Sequence, residues 1–349
     1  MPAPRDHYRW QGVTNECPVE DGPKSTRSTS AVEQVLVTLL PRRPLGASGF
    51  DVSVMSLGSW RTYERIPREQ GVAVMCAARE AGITFLDDAR YDDETGRAPT
   101  PTGWSEVVFG ELFRAAGWAR EEVIVANKLW WEHWPEEDAN AELDGSLGRM
   151  GFDHVDLIYA VAPPPHLTMA ELIEQVAGLI RSGIARAWGT CMWTVAQHLE
   201  ALALCEQAGV PAPAAAQMVT SLVEHRDPDD PDMHRAFVRG PIALVASFVL
   251  AGGALTGKYL RGEHGRVDDN ESPLNRAGKE LAPKVVALAE QWGVPPSHVA
   301  FAYAFSHRHL ASVLFGARTP EQLRENVAAY ATFEALDARQ LEAVRVLAN

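Results

Sequence analysis

The sequence has no long apolar run. None of its apolar stretches reaches the roughly 18 residues that a membrane helix needs, which argues against a spanning segment. Residues 1–29 also lack the basic-then-apolar pattern of a secretory leader, so a cytoplasmic location is expected. Positive charge is scarce: 32 Lys and Arg stand against 46 Asp and Glu, a net charge of −14. Such a chain repels phosphate backbones, so nucleic acid is not an expected partner. A single nucleotide is not excluded, because one pocket can be basic inside an acidic protein. The four cysteines, Cys17, Cys76, Cys191 and Cys205, form no CxxC pair. Zinc-ligand spacing is therefore absent, no metal site is expected, and the thiols are expected to be reduced. No GxGxxG follows the first strand-like run, so a Rossmann nucleotide site has no support.

What is present is a core and a rhythm. The chain is 46% hydrophobic, enough to bury a globular interior. Residues 1–30 are rich in Pro, Ser, Thr and charge and read as a flexible extension, leaving 31–349 as one folded domain. Val35–Leu40 and Leu45–Gly49 flank a short turn and suggest an N-terminal β-hairpin. Apolar strand-like runs then alternate with helical-period segments. The runs are Val52–Leu57, Thr84–Asp87, Val123–Asn127, Val155–Val161, Ala185–Gly189, Ala214–Val219, Ala243–Val249 and Ser312–Gly316. In 70–80, Val72, Met75, Cys76 and Arg79 recur at helical spacing, as do Leu172, Val176, Leu179 and Ile180 in 170–181. Gly82, Gly117, Gly151, Gly183 and Gly209 fit helix ends. Eight strand–helix units in about 300 residues imply an α/β fold, a (β/α)8 TIM barrel. The Gly- and Asp-rich stretch 251–276 breaks the rhythm and reads as a loop at the barrel mouth.

Barrels of this kind place chemistry at the C-terminal ends of their strands. The polar residues there are Asp87 and Asp88, Lys128, Gln217, and Arg318-Thr319 after the last strand. Asp87 and Lys128 end neighbouring strands and should face each other, either as a plain buried ion pair or as a catalytic one. A tyrosine beside that ammonium would have its hydroxyl pKa lowered and could donate a proton near neutrality. Thr319 suits an N-cap and Pro320 the first helical turn, which gives either an ordinary capped helix or an anion site with Arg318.

Taken together, several segments carry a family resemblance across Arg43 to the C-terminus. They include Arg43-Pro44-Leu45-Gly46, Gly82-Ile83-Thr84-Phe85-Leu86-Asp87, Val125-Ala126-Asn127-Lys128, Trp188-Gly189-Thr190-Cys191 and Gly316-Ala317-Arg318-Thr319-Pro320. The chain resembles the aldo-keto reductases, in the branch of the voltage-gated potassium channel β subunits. The resemblance implies NADP(H) as cofactor and a tetrad of Asp, Tyr, Lys and His, with the tyrosine as proton donor to a carbonyl oxygen. Asp87 and Lys128 match the Asp and Lys, and Tyr91 is the one candidate for the tyrosine, one residue nearer the Asp than the family spacing. The position of the His falls on Val161, which cannot donate a hydrogen bond.

The same resemblance assigns the cofactor contacts. Gln217 is kept at the nicotinamide end, but its polar neighbours become Cys191 and Met192, the stacking aromatic becomes Thr220, and a Ser-Pro-Leu becomes Phe248-Val249-Leu250. The adenosine 2′-phosphate end is retained through Gly316, Arg318, Thr319, Gln322, Glu325 and Asn326. Cofactor binding is thus expected to be weakened or lost at the ring end. Trp60, Trp130, Trp131 and Val161 are expected to line the substrate pocket, with Trp104, Trp134 and Trp193 near the same loops. Two readings follow: hydride transfer between NADP(H) and a small carbonyl or related metabolite, or a redox-inactive relative that binds a metabolite, assists a partner protein or runs a non-redox reaction.

Overall fold

The computed structural model describes residues 39–91, 103–265 and 272–348. The expected extension at 1–30 lies outside them, as do residues 35–38 of the first expected hairpin run, Val35–Leu40. Two short strands, β1 (Arg42–Pro44) and β2 (Asp51–Ser53), form an antiparallel hairpin in which Arg43 pairs with Val52. Eight further strands follow: β3 (Met55–Gly58), β4 (Phe85–Asp87), β5 (Ile124–Leu129), β6 (Val155–Val161), β7 (Ala185–Cys191), β8 (Ala215–Val219), β9 (Ala243–Ser247) and β10 (Leu310–Phe315). They close into a parallel barrel in the order β10-β3-β4-β5-β6-β7-β8-β9. This is the (β/α)8 barrel that the alternation predicts.

The helices are α1 (Arg68–Glu80), α2 (Trp104–Ala115), α3 (Ala139–Met150), α4 (Met169–Ser182), α5 (Val195–Ala208) and α6 (Arg226–Asp229). They continue with α7 (Pro231–Arg239), α8 (Pro273–Trp292), α9 (Pro296–Phe305), α10 (Pro320–Ala335) and α11 (Ala338–Ala348). Their ends obey local chemistry. Thr168 with Glu171 and Thr194 with Gln197 form reciprocal capping boxes at α4 and α5. Among the described residues, no helix is long and apolar enough to cross a membrane.

Three expectations shift. The run Val52–Leu57 is not one strand: its start belongs to the hairpin and its end to the barrel. Ser53 makes the corner, exchanging hydrogen bonds with Thr84 and donating its hydroxyl to the Met55 carbonyl. Leu45–Gly49 is not a hairpin arm but the turn itself, with Gly46 at φ 53°. A Cβ at Gly46 would stand 2.0 Å from the Pro241 carbonyl oxygen, so only glycine lets this turn seat against the strands. Leu45, fully buried, joins Val52, Phe85, Leu157 and Tyr159 in the core inside the barrel. The third shift concerns 251–276: short 3-10 turns cover Ala251–Thr256 and Lys258–Arg261, and α8 already begins at Pro273. Cys191 and Cys205 are free and buried, but Cys76 is disulfide-bonded, against the expectation of reduced thiols.

Candidate active site

The strand period brings the ionisable residues together. Asp87 ends β4 opposite Ala126 of β5, and Lys128, two residues further on, shares Ala126's inward face. Both side chains are buried, and the Lys128 ammonium pairs with Asp87 Oδ1. Gln217 of β8 donates its amide to Asp87 Oδ2 at 3.0 Å, so both carboxylate oxygens are held. Burial alone would push the Lys128 pKa down, but the adjacent Asp87 outweighs it and holds the ammonium well above its ordinary value.

Tyr91 completes the cluster. Lys128 Nζ donates to its hydroxyl oxygen at 3.3 Å, and Trp130 packs edge-on against its ring at 6.0 Å. The shifted spacing from Asp87 therefore does not keep Tyr91 away from the ammonium. Its proton affinity runs against expectation: burial raises the hydroxyl pKa above its ordinary value, and the nearby Lys128 only partly offsets this.

Sequence reasoning missed Tyr159. It lies on the inward face of β6, level with Lys128 on one side and Gly189 on the other. Its side chain is fully buried, and the Lys128 ammonium sits 5.8 Å from its ring centroid. A Cβ at Gly189 would approach the Tyr159 ring to 2.9 Å, so glycine there makes room for the ring. The hydroxyl lies near Gln217 without a well-formed hydrogen bond, and burial raises its pKa far above the ordinary value. The signal was the period-two series Leu157, Tyr159, Val161. Asp88, by contrast, faces away from the cluster. Its carboxyl accepts the Ser59 hydroxyl and lies near Glu106 of α2, and burial, then Glu106, raises its pKa.

The expected pocket residues divide. Val161 lies at the mouth with an aliphatic side chain, and its carbonyl accepts the Trp131 indole N–H at 3.1 Å. Trp131 itself is buried in the core between strands and helices and packs against Trp134, so it backs the wall rather than lining the pocket. The backbone N–H groups of Trp130 and Trp131 both donate to the Glu142 carboxylate, at 2.7 and 3.2 Å, which fixes this loop. Trp193 is likewise core, against Trp188. Trp60 stays at the mouth, 5.4 Å from Phe248 and under the Arg61 guanidinium. Arg61, Trp131, Met192, Phe248 and Ala251 all carry positive φ, each in a segment following a barrel strand. Strained non-glycine backbone of this kind collects at functional sites.

The cofactor-matched residues also divide. At the last strand's end, Thr319 caps α10 by accepting from the Gln322 N–H at 3.2 Å. The Gln322 side chain accepts the Arg318 N–H at 3.0 Å, and Glu325 accepts the Ser297 hydroxyl at 3.2 Å. Gly316 and Arg318 are half-buried beside this helix start, and Asn326 is buried in its second turn. The ring end is different. Gln217 is engaged with Asp87 and with the Cys191 thiol, which lies 3.3 Å from its carbonyl oxygen. Burial pushes the Cys191 thiol up to about 12. Thr220 donates back to the Met218 carbonyl, and Met192 points outward, 68% exposed.

A closed parallel barrel whose mouth holds a buried Asp–Lys–Tyr cluster defines the class of protein. The family model described as the aldo/keto reductase family matches residues 54–349. The chain belongs to that family. It is 28% identical over 303 residues to a rice protein (Oryza sativa subsp. japonica) described as "Probable voltage-gated potassium channel subunit beta". That match covers 82% of this chain and 89% of the rice protein.

Proposed function

We propose that this protein is an NADP(H)-dependent oxidoreductase that reduces a small carbonyl compound, with Tyr91 as the proton donor. The observation that carries this reading is the contact of Lys128 Nζ with the Tyr91 hydroxyl, backed by Asp87. Because the ammonium donates to the hydroxyl oxygen, the phenolic proton is directed elsewhere and is available to a carbonyl oxygen. As that oxygen takes the proton, Lys128 stabilises the phenolate left on Tyr91, and Asp87 and Gln217 keep the ammonium charged and in place. Bound NADPH would supply the hydride to the carbonyl carbon.

The residues fit that cofactor unevenly. Arg318 beside the Thr319-capped start of α10 suits a phosphate, since a helix N-terminus and a guanidinium both favour an anion. At the ring end, Gln217 already commits one N–H to Asp87 and one lone pair to the Cys191 thiol, which leaves it one of each for a carboxamide. With Val161 at the mouth, a substrate oxygen has one strong donor rather than two. The raised pKa of Tyr91 adds to this. We therefore infer slow reduction of generic carbonyls and a narrow range of good substrates.

A second reading, a metabolite-binding or partner-assisting protein without hydride transfer, is favoured by Val161 and the engaged Gln217. The rice relative's description as a channel subunit gives this reading a precedent. NADPH titration followed by fluorescence, with NADPH oxidation against small aldehydes and quinones, separates the two. Cofactor-dependent turnover lost in Tyr91→Phe supports the oxidoreductase. Saturable NADPH binding with no turnover of any carbonyl supports the second.

A further inference from the structure

Two cavities lie away from the mouth. These hollows, of about 480 and 540 Å³, flank the turn from Ser306 to His309 that leads into the start of β10. That is the end of the barrel where the hairpin sits. Both share Arg308 and Arg345 in their walls. We propose that this paired cavity binds a small phosphate-bearing metabolite, its phosphate seated against Arg308, Arg345 and the facing histidines His234 and His309.

The case rests on charge and on protons. In a chain of net charge −14, cations and imidazoles converge here. Arg308 is exposed and has no ion pair or hydrogen bond among the described residues, though it belongs to both walls. Arg345, on α11, stands in both walls and meets Glu342 at 3.7 Å. The carboxylate in the wall, Asp229 of α6, is already engaged: His225 Nδ1 contacts it at 2.8 Å and the Tyr303 hydroxyl donates to it at 3.1 Å.

His309 Nε2 and His234 Nδ1 lie 2.9 Å apart, so a single proton serves the two facing nitrogens. Phe237 stacks on the His309 ring and fixes it. His307 has both nitrogens spoken for, one accepting from the His309 N–H and one facing the Pro228 carbonyl. Burial, then the charges of His307, His234 and Arg308, pushes His309 down to about 4. Burial likewise lowers His307. The cavity is therefore short of protons, and the Arg308 guanidinium makes no ion pair among the described residues, the Asp229 carboxylate of the same wall being held by His225 and Tyr303. A phosphate would pair with Arg308, accept its hydrogen bonds and favour a proton on His309. The second hollow, walled by Phe305, Leu310, Phe333 and Leu341 with Arg43 at its edge, offers space for the rest of the metabolite.

The test is calorimetric titration of the full chain with inorganic pyrophosphate, at about pH 6 and about pH 8, either side of histidine's ordinary range. Binding tighter by about tenfold or more at the lower pH, with proton uptake, is expected. Arg308→Ala should abolish it and His234→Gln should flatten its pH dependence, both in protein whose circular dichroism matches wild type. Arg339→Ala, on the same helix as Arg345 but outside both walls, should leave it unchanged. Absence of binding at the lower pH, pH-independent binding, or binding that survives Arg308→Ala but not Arg318→Ala would overturn the proposal. The last outcome would place the pyrophosphate at the cofactor end of the mouth, and it leaves the oxidoreductase reading standing.

Discussion

Lys128 and Tyr91, 37 residues apart in sequence, meet at 3.3 Å across the barrel mouth, with the ammonium donating to the phenolic oxygen. If that contact carries proton transfer, Tyr91→Phe removes the proton but leaves the ring and its packing on Trp130. Turnover with NADPH should fall by about 10²–10⁴-fold, the range of general acid catalysis, while the NADPH dissociation constant stays within about twofold of wild type. Equal turnover in both proteins would remove Tyr91 from the chemistry.

Val161 supplies no hydrogen bond where a second donor would stand. Val161→His alone should not raise generic aldehyde turnover to the level of an ordinary reductase. Hydride transfer also needs the nicotinamide ring held in attack geometry, and Cys191 and Met192 stand where the resemblance expects polar partners for the ring, with Gln217 bonded to Asp87 and Cys191. A rise of about 10²-fold, the worth of one well-placed oxyanion donor, in steady-state NADPH oxidation by this single variant would refute the argument.

Arg318 should discriminate between the dinucleotides. Its guanidinium suits a phosphate that NADPH has and NADH lacks. Arg318→Ala should weaken NADPH binding by about tenfold or more, the worth of a charge-assisted contact, and leave NADH nearly unchanged. Equal losses in fluorescence titrations of the two cofactors would count against the assignment.

Gly189 and Tyr159 make a stability prediction. The Cβ of Gly189→Ala would stand 2.9 Å from the Tyr159 ring and 2.6 Å from the Ala215 carbonyl oxygen. Neither the enclosed ring nor the backbone can withdraw freely, so the variant should lose about 1–3 kcal/mol, as overpacked cores do. Urea denaturation measures this, and unchanged stability would show that the strands adjust.

His198 sets an acid limit. Its Nδ1 faces the Thr194 carbonyl at 2.8 Å and its Nε2 faces the Thr190 hydroxyl at 2.7 Å, an arrangement that suits the neutral ring. Burial lowers its pKa to about 4. A folded pKa below the unfolded value means the stability is complete above about pH 6.5. It is lost progressively as pH falls toward about 4. Urea midpoints should decline across that window, and His198→Asn should flatten the decline. Parallel curves for the two proteins would assign the loss to other groups.

Local patterning makes the barrel legible in the sequence itself. Eight apolar runs separated by helical periods leave few alternatives, because parallel strands need crossovers and each crossover helix must cover the sheet. The glycines marked as helix ends take φ between 66 and 80° at Gly82, Gly117, Gly151, Gly183 and Gly209. Thr319 and Pro320 open α10 as their chemistry requires. The pairing of Asp87 with Lys128 is readable for the same reason, since neighbouring parallel strands put residues of equal parity on one face.

The remaining features depend on contacts between distant segments. The apolar run at Val52–Leu57 reads as one strand, and only the Ser53–Thr84 hydrogen bonds turn it into a hairpin arm and a barrel strand. Trp130 and Trp131 are adjacent in sequence, yet one meets Tyr91 and the other enters the core, because Glu142 of α3 holds the loop between them. Tyr159 is hidden in an apolar strand, and its place beside Lys128 depends on the missing side chain at Gly189. Sequence alone thus determined the barrel, its mouth and the Asp87–Lys128 pair, through short-range periodicity. Whether Tyr91 reaches Lys128, whether Gln217 is free, and which tryptophans face the mouth were decided by the closed tertiary structure, because each depends on side chains from separate strands and loops competing for the same few ångströms.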